Sequence, residues 1–142
     1  MKQRVVSTLA ALALLVPLAS VALTSPAGAT SNRVHLLNAW KSLEADYNKV
    51  YAGIQAGNAT QAENGFTAYS RDCVYLATFE TSFNSTINAD IFQIAVVGNA
   101  WAWIGYITLA QNTETGDLKT ESSKLNAAIS KFNRDLVKIG LL

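Results

Sequence analysis

The residues that could bind a metal ion or act as a nucleophile are few, and their spacing separates the best two. His35 is the only histidine and Cys73 the only cysteine, so a Cys–His pair would have to join these positions. If the chain folds back near Asn58, Cys73 is level with about Leu43. His35 then lies roughly 12 Å further along the helix axis, at 1.5 Å per residue. The two side chains cannot share one metal ion, and we expect no metal site.

The remaining polar residues do not have the spacing of a catalytic site. A serine nucleophile would need His35 as its base, and nothing in the sequence marks a serine near it. The acidic residues mostly fall outside the apolar stripes, which predicts solvated side chains rather than a paired acid and base. These residues are Glu44, Asp46, Glu63, Asp72, Glu80 and Asp90. We therefore expect no catalytic residue, no cofactor and a protein that is not an enzyme.

Cys73 is predicted to be a buried structural thiol. It follows Phe66 and Tyr69 and precedes Leu76 at helical spacing, and free cysteine is among the most buried residue types. The alternative is a reactive thiol or one that links two chains. A single cysteine forms no disulfide within the chain, so the fold must be stable through packing alone.

Residues 1–29 have the form of a bacterial-type signal peptide. Two cations precede an apolar run over residues 5–23, and Ala27-Gly28-Ala29 matches the small-residue pattern that signal peptidase cleaves. Cleavage is predicted after Ala29, with a cut after Ala22 as the alternative. We expect residues 30–142 to be secreted or to remain outside the cytoplasm, in the periplasm or the cell envelope.

Four segments of the mature chain are predicted to be helices, at about residues 33–56, 60–83, 87–111 and 117–139. In three of them apolar residues recur at alternating steps of four and three, which places them on one side of a helix. No segment alternates with period two, so the predicted fold is all-α. Short loops favour antiparallel neighbours, and we expect an up-down-up-down antiparallel four-helix bundle.

The charge balance does not indicate a nucleic-acid partner. The chain has 11 Lys and Arg against 10 Asp and Glu, a formal net charge of +1. Proteins that bind the phosphate backbone concentrate cations on one surface, and this sequence has no basic cluster. We expect neither nucleic acid nor anionic lipid as a partner.

The third segment is apolar all round, because residues 91–113 include no charged residue. At 100° per residue it has three faces. The aliphatic face consists of Val97, Ala100, Ile104 and Ile107. The aromatic face consists of Phe92, Val96, Trp103 and Tyr106, with Asn99 among them. The third face is a strip of small residues, Ala95, Gly98, Ala102 and Gly105. A helix in a four-helix bundle buries about half of its circumference, so one face is left over.

Surplus apolar surface on an exported protein predicts association. We expect a secreted interaction protein whose third helix pairs with its own copy in a homodimer, or with another secreted or envelope protein. The predicted partner- or ligand-binding residues are Phe92, Ala95, Gly98, Ala102, Trp103, Gly105 and Tyr106.

Two other functions fit the same segment. The aromatic face could line a cavity in the bundle core, so that the protein carries a small apolar or planar ligand outside the cytoplasm. A lipid-like molecule, or haem held by a tyrosine or His35, would suit such a cavity. Alternatively the helix anchors the chain in a membrane, since 23 uncharged residues are long enough to cross one. Gln93, Asn99 and two glycines in the middle argue against a membrane span.

Overall fold

The computed structural model describes residues 30–112 and 116–142, and this part of the chain is helical without strands. Helix α1 spans Thr30–Gln55, α2 Ala59–Ala77, α3 Ser85–Gln111 and α4 Gly116–Lys138. The prediction of an all-α fold with four helices is confirmed. The predicted signal peptide, residues 1–29, lies outside the described residues.

Two asparagines start the middle helices. The side-chain oxygens of Asn58 and Asn84 accept hydrogen bonds from the backbone N–H groups of Gln61 and Ile87, each at 3.0 Å. These bonds satisfy donors that have no partner within the first helical turn. These caps explain why α2 and α3 begin at Ala59 and Ser85, one and two residues before the predicted starts at about residues 60 and 87.

Helix α2 ends at Ala77, six residues before the predicted end at residue 83. The Thr78 hydroxyl donates to the Tyr75 carbonyl at 2.7 Å. The N–H groups of Thr78, Phe79 and Glu80 bond carbonyls three residues earlier, so the chain tightens into turns. Phe79 is nevertheless buried, which is why the apolar stripe continues past the end of the helix.

The helices pack consecutively, and glycines allow the first two to approach closely. A Cβ atom added at Gly53 would lie 2.6 Å from the backbone nitrogen of Ala62. One added at Gly65 would lie 2.7 Å from Val50 Cγ2. A larger residue at either glycine would push α1 and α2 apart, because these distances are far below ordinary van der Waals contact.

Trp101 on α3 lies at the centre of the core and contacts each of the other helices. Its ring stacks on Tyr47 of α1 at a centroid distance of 5.3 Å. It meets Phe66 and Tyr69 of α2 edge-on at 4.8 and 5.1 Å, and its indole N–H donates to the Ser122 hydroxyl of α4 at 3.0 Å. A single side chain thus joins all four helices. The outer helices also meet directly, since Trp40 packs edge-on against Phe132 at 5.0 Å.

Three of the acidic side chains predicted to be solvated are buried. Asp46, Asp72 and Asp90 are at most 8% exposed, so that prediction is wrong for these residues. Their carboxylates accept hydrogen bonds from Lys49, Ser42 and Lys131, respectively. A buried carboxylate persists only where such partners replace water, and Ser42 and Lys131 come from a different helix.

Asp90 also belongs to a charged cluster between α3 and α4. Lys131 Nζ donates to Asp90 and, at 3.0 Å, to Asp135, and Lys138 donates to Asp135 at 2.6 Å. Hydrogen bonds from Lys138 and Lys131 hold the pKa of Asp135 far below its usual range. Burial, in contrast, raises the pKa of Asp90. The two carboxylates therefore respond to acid at different pH.

Candidate interaction surface

The strip of small residues on α3 lies inside the protein. Ala95, Gly98, Ala102 and Gly105 are all buried. A Cβ atom at Gly98 would lie 2.8 Å from the Cys73 sulfur. At Gly105 it would lie 2.3 Å from two ring carbons of Phe66. The strip is thus the surface on which α3 packs against α2, and four of the seven predicted binding residues are not open to a partner.

The other three predicted binding residues lie on the outside of α3. Phe92 is 55% exposed, Trp103 61% and Tyr106 37%. The rings of Trp103 and Tyr106 stack with centroids 6.2 Å apart and an angle of 17° between their planes. Val96, which belongs to the same aromatic face in the sequence, is 51% exposed and completes the group.

These side chains belong to a longer exposed row, which we call the open seam. Its residues follow one another at alternating steps of three and four: Ala89, Phe92, Val96, Asn99, Trp103, Tyr106 and Ala110, all of them exposed. None is charged. Apolar residues at this average period of 3.5 form the contact row of a coiled coil. The open seam therefore has the pattern of a helix that packs against a further helix.

The aliphatic face of α3 is largely used by the core. Val97 is buried and Ile104 packs against the core cluster. Ala100 and Ile107 are half-buried beside the open seam. The large side chains of the aromatic face are exposed instead, so of the three faces it is the one that the described helices leave uncovered.

Asn99 connects the open seam to α2. The Ser70 hydroxyl donates a hydrogen bond to the Asn99 side-chain oxygen. Val74 lies one helical turn beyond Ser70 and is 64% exposed. Cys73 lies against Gly98 and Phe66 against Gly105, so Val74 lies near the level of Val96. The apolar surface therefore extends from α3 onto α2.

The comparisons with known proteins do not assign a function. The chain matches no protein-family model, no curated protein and no solved structure. The functional inference accordingly depends on the residues and contacts of the chain itself.

Cys73 lies in the core, fully shielded from solvent. Burial, followed by the charge of Asp72, raises the pKa of Cys73 to about 12. Because the thiolate is the reactive form, this thiol is a poor nucleophile at neutral pH. Its sulfur fills the space that the missing side chain of Gly98 leaves open.

His35 is exposed on α1, whereas Cys73 is buried on α2. Among residues 30–112 and 116–142, no group of three or more His, Cys, Asp or Glu side chains is placed to hold a metal ion.

The predicted ligand cavity would lie between the helices, but at the level of Trp101 this space is filled with aromatic side chains. The open seam does not line it, because its large side chains are exposed on the outside of α3. A groove of about 410 Å³ lies instead beside the turn between α1 and α2. It is lined by Lys49, Asn58, Thr60, Gln61, Asn64, Gly65 and Ala68. None of these residues belongs to the open seam, so the groove and the seam are separate features.

Helix α3 is also long and apolar enough to cross a membrane, alone among the helices of the described chain. The core helix of a water-soluble protein has the same composition. Half of α3 packs against α2 and α4, and its Asp90 bonds Lys131. Within this fold, α3 is a core helix with one uncovered face.

Proposed function

We propose that this chain is a secreted, non-enzymatic interaction protein that binds its partner through the open seam. The proposal rests mainly on one observation: Phe92, Val96, Trp103 and Tyr106 are exposed in a single row that contains no charged residue. Exposed apolar side chains scattered singly are normal, whereas a contiguous row marks a contact site. Aromatic residues are also enriched at protein interfaces, where charged ones are depleted.

We further propose that signal peptidase releases residues 30–142 outside the cytoplasm and that the four helices alternate in direction as an up-down-up-down bundle. The leader sequence supports the first part. Two contacts between each pair of consecutive helices support the second, because residue numbers rise in one helix as they fall in the next: Val50–Gly65 with Gly53–Ala62, Phe66–Gly105 with Cys73–Gly98, and Asp90–Lys131 with Trp101–Ser122. An extracellular location would give the open seam access to other exported proteins.

The interaction role is favoured over a ligand carrier or a membrane anchor for two reasons. A carrier would use the aromatic face to line an internal cavity, but Phe92, Trp103 and Tyr106 point outward. If α3 crossed a membrane as an anchor, it would have to leave the core. The contacts of Trp101 with all three other helices would then be lost.

Site-specific photo-crosslinking tests this function. Benzoyl-phenylalanine is introduced at Phe92, at Trp103 or, as a control of similar exposure on α4, at Val137. The full-length protein is produced in bacteria and irradiated in the extracellular fraction. We expect discrete cross-linked products from Phe92 and Trp103 that are absent for Val137. If all three positions give the same products, or the two α3 positions give none, the proposed function is wrong.

A further inference from the structure

Building on the proposed function, we infer that the open seam binds the open seam of a second copy of this chain. The two α3 helices pack antiparallel, with Val96 against Tyr106 of the partner subunit. The resulting assembly is a two-fold homodimer, in which the same surface serves both copies.

The length and uncharged character of the open seam favour a helix as its partner. Its seven residues cover positions 89–110 in steps of three and four, three heptads in length. Side chains in such a row fit between those of a facing helix. The uncharged row is about 30 Å long at 1.5 Å per residue, which is longer than a small ligand and matches a helix of similar length.

The order of large and small side chains fits an antiparallel copy. In this antiparallel pair the two-fold axis crosses the interface at the level of Trp101 along the helix. Two facing residues therefore lie equally far from position 101, one before it and one after it. Phe92 then faces Ala110 of the partner subunit, Val96 faces Tyr106 of the partner subunit, and Asn99 faces Trp103 of the partner subunit. Each layer combines a large side chain with a smaller one. A parallel pair would instead place Trp103 against Trp103 and Ala89 against Ala89, which leaves crowded and empty layers.

The polar residue of the open seam also suits this register. Asn99 Oδ1 accepts one hydrogen bond from Ser70, and a carbonyl oxygen has a second lone pair. That lone pair is available for the indole N–H of Trp103 of the partner subunit. Because no seam residue is charged, the two seams themselves bring no like charges together.

The available area predicts a dimer that dissociates on dilution. The three aromatic seam residues are 55%, 61% and 37% exposed, so they offer about 300 Å² per copy if each has a full area of about 200 Å², and Val96 adds to this area. Two copies therefore contribute about 600 Å² from aromatic residues, whereas stable interfaces bury about 1,200–2,000 Å². Val74 and the half-buried Ala100 and Ile107 must supply the rest.

Disulfide trapping tests the partner and the register together. In a Cys73→Ala background, the double variant Val96→Cys/Tyr106→Cys carries two thiols about 15 Å apart along one helix. They cannot bond within a chain, because a disulfide needs Cα atoms within about 7 Å. In the antiparallel dimer each thiol faces the other position of the partner subunit. Oxidation with diamide, which takes up the two hydrogens, should therefore yield a covalent dimer.

The single variants Val96→Cys and Tyr106→Cys are the matched controls. Each thiol would lie about 15 Å from its own copy in the antiparallel dimer, so both should remain monomeric on a non-reducing gel. Circular dichroism checks that all variants are folded. Efficient cross-linking of either single variant would contradict the antiparallel register. Equal yields from the single and double variants would have the same meaning.

Light scattering across a concentration series provides the second measurement. The wild-type chain should approach twice the monomer mass at high concentration, Trp103→Glu should remain monomeric, and Val137→Glu should behave as the wild type. This inference would be overturned if the wild-type chain were monomeric throughout the series and the double-cysteine variant formed no covalent dimer. If photo-crosslinking at Phe92 and Trp103 still captured a different protein, the proposed function would survive without the homodimer.

Discussion

Replacing Gly105 with alanine tests the orientation of α3 on which the open seam depends. The added methyl carbon would lie 2.3 Å from Phe66 Cε1 and Cζ, against about 3.5–4.0 Å for a favourable carbon contact. Phe66 is 1% exposed and packs against Trp101, so its ring has little room to move. Both the sign and the size of the effect follow from this contact.

Overpacking a core typically costs about 1–3 kcal/mol, and we expect the upper part of that range because the ring is enclosed. Alanine regains about 1 kcal/mol over glycine through helix propensity. Gly105→Ala should therefore lower the free energy of unfolding by about 1–2 kcal/mol. For residues 30–142 the melting temperature should fall by about 4–8 °C, because the unfolding entropy is about 2.1 cal/mol/K per residue.

Urea unfolding followed by circular dichroism measures this change, provided that the dependence on denaturant stays the same. Phe66→Leu serves as the matched partner, because leucine lacks the ring atoms that the new methyl group would meet. The double variant should be more stable than the two single changes predict by about 1–2 kcal/mol, within the range for residues in contact. A Gly105→Ala protein stabilised by about 1 kcal/mol would refute the close approach, and with it the orientation that exposes Phe92 and Trp103.

Three further predictions concern the core and its charges. Cys73 should react slowly with a thiol reagent in the folded protein and quickly in denaturant, and Cys73→Ala should cost about 1–2 kcal/mol; equal labelling rates would contradict its burial. Gly98→Glu should prevent folding, because it buries an unpaired charge, whereas Trp103→Glu should leave the unfolding free energy within about 0.5 kcal/mol of the wild-type monomer. Since hydrogen bonds from Lys138 and Lys131 lower the pKa of Asp135, its stabilising contribution should be present above the ordinary pKa of 3.8 and disappear as the pH falls towards the lowered folded-state value. Asp135→Asn should weaken this part of the acid dependence in pH-resolved unfolding, and an unchanged acid limb would contradict it.

The sequence predicts the helices well because their signals are local. Four-three spacing places Leu36, Trp40 and Leu43 on one side of α1, and these residues are buried as expected. The end of α2 is the exception, since Phe79 and Phe83 continue the apolar stripe while the backbone has already turned. A stripe reports which side chains reach the core, and a turn can deliver them as well as a helix.

The candidate surface was also predicted only in part from the sequence. Composition and helical spacing predicted that α3 has more apolar surface than one bundle can bury, and they identified both the small-residue strip and the aromatic face as candidates. The sequence could not choose between them, because both are apolar and both lie on the same helix. The choice depends on the fit of Gly98 and Gly105 against Cys73 and Phe66, residues that are far away in the sequence.

The buried acids have the same physical origin. In the sequence Asp72 and Asp90 both have the features of solvated side chains. Asp72 directly follows Arg71, and Asp90 lies near the start of a helix. Their partners Ser42 and Lys131 are 30 and 41 residues away, and only the packing of helices brings them within hydrogen-bonding distance. Local periodicity thus determined that this chain forms helices and that α3 has an apolar face to spare. The tertiary contacts decided which face that is, because rotation of α3 about its own axis is set by side chains on its neighbours.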